Sequence, residues 1–360
     1  MGSKKKVILG VSGGIDSSTC AYYLLRNGYE VEGIYFDLWR AFSDEKPVQQ
    51  GIEENYRRID QLSKRLNFPI RVVERKEEFH NQIVHYFIDA LKNGLTPNPC
   101  VLCNRQIKFK ILFELLNERD ADFIATGHYA RTRTMRNGKV VLLKGLDVVK
   151  DQSYYLTLLN QELLQRVIFP LGGSKKTEVK KIYHRDINPD ADLLESQDLC
   201  FLSGYDPHSF MERYAPESLL PGEIVDGNGK VLGSHKGLAF YTIGQRKGLQ
   251  ISAKEAYFVI EKSISENRLI VGFENELGRD VFWIKNVNWV SGISHPADEK
   301  RYAVKIRYRA KPVIAKAKST GASDMLEIQL KKRLRDVTPG QFAVLYHRDA
   351  VIAGGEISYN

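Results

Sequence analysis

The chain has 360 residues, of which 43% are hydrophobic and 27% are charged, and its formal net charge is +9. This length indicates two or three domains, and the apolar fraction excludes a wholly disordered chain. No apolar run approaches the ~18 residues of a membrane-spanning helix or resembles a signal peptide, so we expect a cytoplasmic protein without a membrane partner. Four cysteines, at positions 20, 100, 103 and 200, are too few and too unevenly spaced for a secreted disulfide scaffold.

The first half of the sequence alternates strand and helix patterns. Short apolar runs predict strands at 7–11, 31–35, 70–73 and 123–126, and helical periodicity predicts helices from about 16 and over 52–66, 79–91 and 107–115. Strands joined by helical crossovers predict an α/β fold with a doubly wound parallel sheet, which we assign to residues 1–205. Ligands of such folds bind beyond the carboxyl ends of the strands, so we expect the functional site there.

The pattern changes after about residue 205. Frequent glycines over 206–280 predict turns between brief strands, which indicates a small central domain. From residue 281 to 360 the apolar residues alternate with period two, which predicts a small antiparallel barrel or sandwich. In 302–309 this alternation places Lys305, Arg307 and Arg309 together on one strand face, where they would form a basic ridge able to contact a phosphate backbone. The alternative is a solvated strand face, which is usual for a charge run.

The string from Ser12 to Ser18 follows the first strand and opens the first helix. Gly13 and Gly14 let the backbone approach an anion, and the helix N-terminus offers unpaired N–H groups. Asp16 would repel a phosphate, so we expect it to bind a magnesium ion that bridges the two. The alternative is that Asp16 only caps the helix and the glycines only form a tight turn. The chain has no Walker A string and no dinucleotide-binding string, which disfavours kinase and dinucleotide functions.

Two cysteines are candidates for chemistry. Cys103 lies near a predicted helix N-terminus, and Arg105 and Lys108 follow it, so we expect the pKa of its thiol to be lowered. Cys200 lies at a polar loop edge, whereas Cys20 falls on the apolar side of the first helix and is expected to be buried and inert.

The sequence resembles the tRNA-specific 2-thiouridylases of the PP-loop ATP pyrophosphatase superfamily over nearly its whole length. The matching strings are the phosphate loop at 12–18 and those at 98–104, 126–129, 150–154, 169–172, 195–198, 241–249 and 339–341. The resemblance implies that ATP, cleaved between its α and β phosphates, adenylates the 2-oxo group of the wobble uridine of tRNA, and that sulfur then replaces it. Cys200 would carry a persulfide and Cys103 would be its partner thiol, so that the two end as a disulfide. The sulfur would come from an upstream cysteine desulfurase or sulfur-relay protein.

The resemblance also implies binding residues. ATP would contact Gly10, Val11, Ser12, Gly13, Gly14, Ile15, Asp16, Ser17, Ser18, Phe36 and Gly127. The tRNA would contact the central domain and Asn98, Pro99, Cys100, His128, Lys150, Asp151, Gln152, Arg307, Tyr308 and Gln341.

Cys100 departs from the family pattern, which usually has an aspartate at this position. Related tRNA-thiolating enzymes use three cysteines to bind a four-iron, four-sulfur cluster with one iron open to sulfide, so Cys100, Cys103 and Cys200 are possible cluster ligands. A zinc site, or a neutral substitution in a persulfide enzyme, are the other interpretations. More remote alternatives for the whole chain are another PP-loop enzyme, such as a 4-thiouridine synthetase or an amide-forming enzyme, and a non-catalytic RNA-binding protein.

Overall fold

The computed structural model describes residues 4–39, 46–189, 199–202, 205–292, 300–322 and 324–359, with side chains of the helix at 46–66 described from residue 53. The string at 195–198 lies outside these residues. The strands are β1 (Lys6–Val11), β2 (Glu30–Asp37), β3 (Ile70–Glu74), β4 (Phe123–Ala125), β5 (Ala130–Thr134), β6 (Val140–Lys144), β7 (Val167–Ile168), β8 (Gly222–Val225), β9 (Val231–His235), β10 (Phe258–Ser263), β11 (Arg268–Gly272), β12 (Arg279–Asn288), β13 (Arg301–Lys305), β14 (Val313–Ser319), β15 (Leu326–Leu334), β16 (Phe342–His347) and β17 (Ala350–Ser358). The α-helices are α1 (Ile15–Arg26), α2 (Lys46–Leu66), α3 (Lys76–Phe79), α4 (His85–Lys92), α5 (Pro99–Cys103), α6 (Phe109–Glu118), α7 (Gln161–Leu164), α8 (Lys176–Ile182) and α9 (Pro207–Tyr214). One π-helical turn, His80–Val84, joins α3 to α4, and a second, Asn104–Lys108, joins α5 to α6.

The first sheet is parallel, with strand order β3-β2-β1-β4-β7. Alternate residues of β1 enter two separate cores: Val7 and Leu9 pack in the core that includes α1, and Ile8 packs in the core that includes α6. Helices therefore cover both faces, and the predicted doubly wound parallel sheet is confirmed.

The central residues form a second, four-stranded sheet. Its order is β10-β11-β8-β9, with β8 and β11 parallel and the other neighbours antiparallel. No helix in the described ranges is long and apolar enough to span a membrane.

The C-terminal strands close into a six-stranded antiparallel barrel. The order β12-β15-β14-β13-β16-β17 is completed by pairing of β12 with β17. The barrel, one of the two architectures predicted, is confirmed. The hairpin β5–β6 belongs to the first half of the chain and yet extends the barrel sheet through pairing of Leu143 with Ala350, which the sequence pattern did not predict.

The strand predicted over 302–309 is shorter than expected. Tyr302 and Val304 are buried as the alternation requires, but β13 ends at Lys305, and its pairing with β14 ends at Val304 and Val313. The chain then turns, with the Ala310 N–H donating to the Arg307 carbonyl at 3.1 Å. The prediction of three basic residues on one strand face is therefore wrong. Pro312, which directly precedes Val313 on the β14 side, explains why the pairing stops there, because proline has no N–H to donate to a strand ladder.

Candidate active site

A cavity of about 980 Å³ lies at the carboxyl end of the parallel sheet. Its walls include the phosphate loop, the helical segment at 98–108, residues 199–201 and the barrel turn at 307–309. Of the predicted site residues it brings together Ser12, Gly14, Ile15, Asp16, Asn98, Pro99, Cys100, Cys103, His128, Lys150, Gln152, Cys200, Arg307, Tyr308 and Gln341. Residues far apart in sequence therefore share one solvent-accessible space.

The phosphate loop is held by its own serines. The Ser12 N–H donates to Ser17 Oγ at 3.1 Å, and Ser17 Oγ donates to the Gly14 carbonyl at 3.2 Å. Gly13 has φ +76°, which a side chain would strain. Gly14 is the N-cap of α1, and no side chain caps the helix. The interpretation of Asp16 as a simple helix cap is therefore wrong.

Asp16 is bound by two protein donors. Lys176 Nζ lies 2.7 and 2.8 Å from its two carboxylate oxygens, and the Tyr129 hydroxyl donates to Oδ1 at 2.8 Å. The Lys176 side chain is only 8% exposed, so this ion pair is shielded from solvent on one side. The carboxylate is thus held in place by protein donors, and its role as a magnesium ligand stays a prediction.

Gly127 and His128 follow β4 and border the same loop. A Cβ at Gly127 would lie 3.2 Å from the backbone of both Asp16 and Ser17, so a larger residue would crowd this approach. His128 Nδ1 is 2.8 Å from the Thr126 hydroxyl, and burial together with the Lys108 charge lowers the pKa of the imidazole to about 3. His128 is therefore neutral at physiological pH and would contact a ligand without carrying a positive charge.

Three thiols and one ammonium group meet in the cavity. Burial raises the pKa of Cys103 to about 12 and that of Cys100 to about 11, while the Lys108 charge lowers both. Cys200 is exposed to the cavity, but the protein around it still raises the pKa of its thiol, again opposed by Lys108. Burial also disfavours the Lys108 charge, but the nearby thiols Cys103, Cys200 and Cys100 outweigh it and raise the pKa of the amine.

The predicted lowering of the Cys103 pKa is therefore wrong. The helix begins at Pro99, which puts Cys103 one turn in and buried, where desolvation exceeds the effect of Lys108. Arg105 does not line the cavity. Cys20 is fully buried, as predicted.

The barrel completes the site by holding the loop that precedes Asn98. Gln341 Nε2 donates to the Thr96 carbonyl at 2.9 Å, and the Thr96 N–H donates to the Pro339 carbonyl at 2.9 Å. The centroid of the Tyr308 ring, which also lines the cavity, lies 4.5 Å from that of Tyr155. The barrel turn thus packs Tyr308 against Tyr155 beside the basic residues 307 and 309.

Several predicted residues lie outside the main cavity. Asp151 is 4% exposed and accepts hydrogen bonds from the Gly145 and Ser153 N–H groups, so its buried carboxylate stabilises the loop at 145–153. Phe36 packs beside Gly10, where a Cβ would lie 3.2 Å from its ring. The others that do not line it are Val11, Gly13, Ser17, Ser18 and Gly127.

Lys176, Tyr155 and Arg58 line the cavity although no motif singled them out. Tyr155 directly follows the matched string at 150–154, which was an available signal. Lys176 and Arg58 belong to helices whose surface lysines and arginines all look alike in sequence.

The described side chains include no group of three His, Cys, Asp or Glu residues placed to hold a metal ion. Cys100, Cys103 and Cys200 line the same cavity as free thiols, but they do not form such a group. The described residues therefore do not fit a four-iron, four-sulfur cluster or a zinc site, and no step of the proposed reaction passes through iron or zinc.

Family models match the chain along most of its length. Residues 5–204 match a tRNA methyl transferase HUP domain, 208–273 a tRNA methyl transferase PRC-barrel domain, and 279–357 an aminomethyltransferase beta-barrel domain. Similar proteins named tRNA-specific 2-thiouridylase MnmA come from Caldanaerobacter subterraneus (39% identity, 98% of this chain and 97% of the relative) and Chloroflexus aurantiacus (38%, 98% and 98%). Another, from Ligilactobacillus salivarius, is 36% identical over 99% of this chain and 96% of the relative.

The parallel sheet with its phosphate loop and the attached barrel define a PP-loop nucleotide-binding protein. Since the similarity extends over the full length of these relatives, the chain belongs to the tRNA-specific 2-thiouridylase family. The family resemblance read from the motifs is thereby confirmed.

Proposed function

We propose that this protein is an ATP-dependent tRNA sulfurtransferase that replaces the 2-oxo group of the wobble uridine with sulfur. The observation that carries the proposal is that the phosphate loop, Cys103 and Cys200 open into one cavity. Activation and sulfur transfer can then act on the same base without its release.

The first step is adenylation of the base. The uridine O2 attacks the α-phosphorus of ATP, the bond to the β-phosphate oxygen breaks, and pyrophosphate leaves with that electron pair. The loop N–H groups at the start of α1 and the Ser12 hydroxyl, which borders the cavity, would bind the phosphates. The base thereby gains AMP, a far better leaving group than hydroxide.

The second step delivers sulfur from a Cys200 persulfide. In one route the Cys103 thiolate attacks the Cys200 sulfur and releases hydrosulfide, which adds to C2 and expels AMP. In the other the terminal persulfide sulfur adds to C2 and expels AMP, and Cys103 then attacks the Cys200 sulfur to free the thiocarbonyl. Both routes end in a Cys103–Cys200 disulfide, which a two-electron reductant of the thiol class must reduce.

The tRNA would reach this cavity across the barrel turn. Arg307 contributes a Thr338-bound guanidinium and Tyr308 an aromatic face, a combination suited to phosphate and base contacts. Asn98, Pro99 and Cys100 would lie against the target base, and the central sheet would bind another part of the tRNA. An upstream persulfide donor must also reach Cys200, which is exposed to the cavity.

The test is mass spectrometry of tRNA nucleosides after incubation with ATP, magnesium, a persulfide donor and a reductant. Wild-type protein should form 2-thiouridine, and Cys200→Ser should bind tRNA and ATP but transfer no sulfur. Asp16→Ala should abolish pyrophosphate release and leave tRNA affinity nearly unchanged, because Asp16 is the residue expected to hold magnesium at the phosphates. Wild-type levels of 2-thiouridine from Cys200→Ser would contradict the persulfide route.

A further inference from the structure

A second, smaller pocket of about 200 Å³ lies on the reverse side of the phosphate loop. Gly13 and Ser18 face this pocket, whereas Ser12, Gly14 and Asp16 face the main cavity. The loop is therefore a thin partition between two solvent-accessible spaces. A triphosphate bound at its N–H groups can be contacted from both.

Arg58, on α2, lines both spaces. The helix packs directly behind the loop, because a Cβ at Gly13 would lie 3.5 Å from Arg58 Cβ and from Ile59 Cγ2. The Arg58 side chain is 40% exposed, which leaves it room to reach a ligand.

The guanidinium of Arg58 is only partly occupied. Its Nε donates to Glu54 Oε1 at 3.0 Å, and among the described residues its two terminal nitrogens have no hydrogen-bond partner. Glu54 is also paired with Arg57, so one carboxylate is shared by two arginines. Arg65, on the far wall of the small pocket, donates to the uncharged oxygens of Ile187 and Asn188. The pocket is therefore net cationic.

We propose that Arg58 binds the β- and γ-phosphates of ATP from behind the loop and holds the pyrophosphate leaving group during adenylation. When the bond between the α-phosphorus and the β-phosphate oxygen breaks, one further negative charge develops on that oxygen. A planar guanidinium with two free terminal nitrogens is the side chain that best binds such a dianionic group in bidentate fashion. Lys176 is less suited to bind the leaving pyrophosphate, because its ammonium group is hydrogen-bonded to both carboxylate oxygens of Asp16.

This inference rests on the proposed function, because it assumes that ATP is cleaved at this loop. The test separates the two by measuring ligand binding without tRNA or sulfur. Isothermal titration with inorganic pyrophosphate, ATP and AMP is carried out on wild type, Arg58→Ala, Arg58→Lys and the control Arg57→Ala. Arg57 shares Glu54 with Arg58 but lines neither space.

Arg58→Ala should weaken pyrophosphate and ATP binding about 10- to 100-fold, the usual effect of losing charged hydrogen bonds, and should leave AMP binding unchanged. Arg58→Lys should recover only part of the loss, since it restores the charge without the planar pair of donors. Arg57→Ala should stay within about twofold of wild type, as expected of an exposed ion pair.

Equal pyrophosphate affinity in Arg58→Ala and Arg57→Ala would overturn the role of Arg58 while leaving the thiolation proposal intact. Loss of AMP binding together with a lowered melting temperature in Arg58→Ala would also count against it, because the residue would then be structural. A wild-type protein that binds neither ATP nor pyrophosphate would overturn the nucleotide site itself.

Discussion

The ammonium nitrogen of Lys176 lies within 2.8 Å of both carboxylate oxygens of Asp16, although 160 residues separate the two in sequence. Each residue stands in the first turn of its helix, Asp16 in α1 and Lys176 in α8. The pair neutralises the one carboxylate of the phosphate loop, so the loop N–H groups remain attractive to phosphates.

Lys176→Met should therefore weaken ATP binding, because the unpaired Asp16 carboxylate would then repel the phosphates. We expect a rise in the ATP KM for pyrophosphate release of about tenfold and a loss of about 1–3 kcal/mol of unfolding free energy, between the values for exposed and buried ion pairs. Lys175→Met, the exposed neighbour, is the control. ATP titrations and urea unfolding measure the two effects, and identical behaviour of the two variants would refute them.

The charge of Lys108 affects the pKa of the Cys103 thiol, and the pH dependence of alkylation can measure this effect. Because burial raises the pKa of Cys103 to about 12, only a small fraction is thiolate at neutral pH, and that fraction increases as the pH rises. Lys108→Met removes the charge that opposes this effect of burial, so the pKa should rise further and alkylation of Cys103 by iodoacetamide should slow about three- to tenfold at pH 8.

Arg105→Met is the matched control for this prediction, because Arg105 is also a cation near Cys103 but does not line the cavity. Peptide mass spectrometry after timed alkylation between about pH 7 and pH 10 distinguishes the variants, since raising a thiol pKa by about one lowers its thiolate fraction about tenfold. Equal slowing by both substitutions would show that Lys108 has no special relation to the thiols.

Arg307 and Arg309 provide a test of the RNA surface. Replacing both with alanine should weaken tRNA binding and reduce the slope of log affinity against log salt by about 1.5, because each lost phosphate contact contributes about 0.7–0.9. Lys331→Ala with Lys332→Ala removes the same charge from an exposed part of β15 outside the cavity and should change the slope less. An equal slope change in the two double variants would assign the effect to net charge alone.

Local sequence patterns predicted the structural elements that are determined by residues close together in the chain. The phosphate loop, its flanking strand and helix, and the antiparallel C-terminal architecture follow from periodicity and turn chemistry, and the structure contains them. The end of β13 at Lys305 was missed because the alternation of buried residues continues through Ile306 after the strand pairing has stopped. Ile306 is buried in the turn just as Val304 is buried in the strand, so the apolar alternation does not show where β13 ends.

Contacts between distant segments could not be predicted in the same way. Lys176 is one lysine among many, and only the packing of α8 against α1 selects it as the partner of Asp16. The direction of the Cys103 pKa was wrong for a related reason. Neighbouring charges can be read from the sequence, whereas the desolvation that exceeds them depends on the tertiary structure.

Cys100 offers the sharpest choice between persulfide and cluster chemistry. Since the described side chains contain no preorganised metal-binding group, we expect wild-type protein to stay colourless, with iron near zero, after anaerobic incubation with iron and sulfide. Cys100→Asp should then keep most of its activity with a persulfide donor, because the partner thiols Cys103 and Cys200 are untouched. Iron analysis and visible absorbance provide a readout independent of turnover. The contrary result would be a brown wild-type protein that uses free sulfide and a Cys100→Asp variant that has lost both colour and activity. That result would establish the three thiols as cluster ligands, because thiolates are the natural ligands of such clusters and three of them leave one iron open.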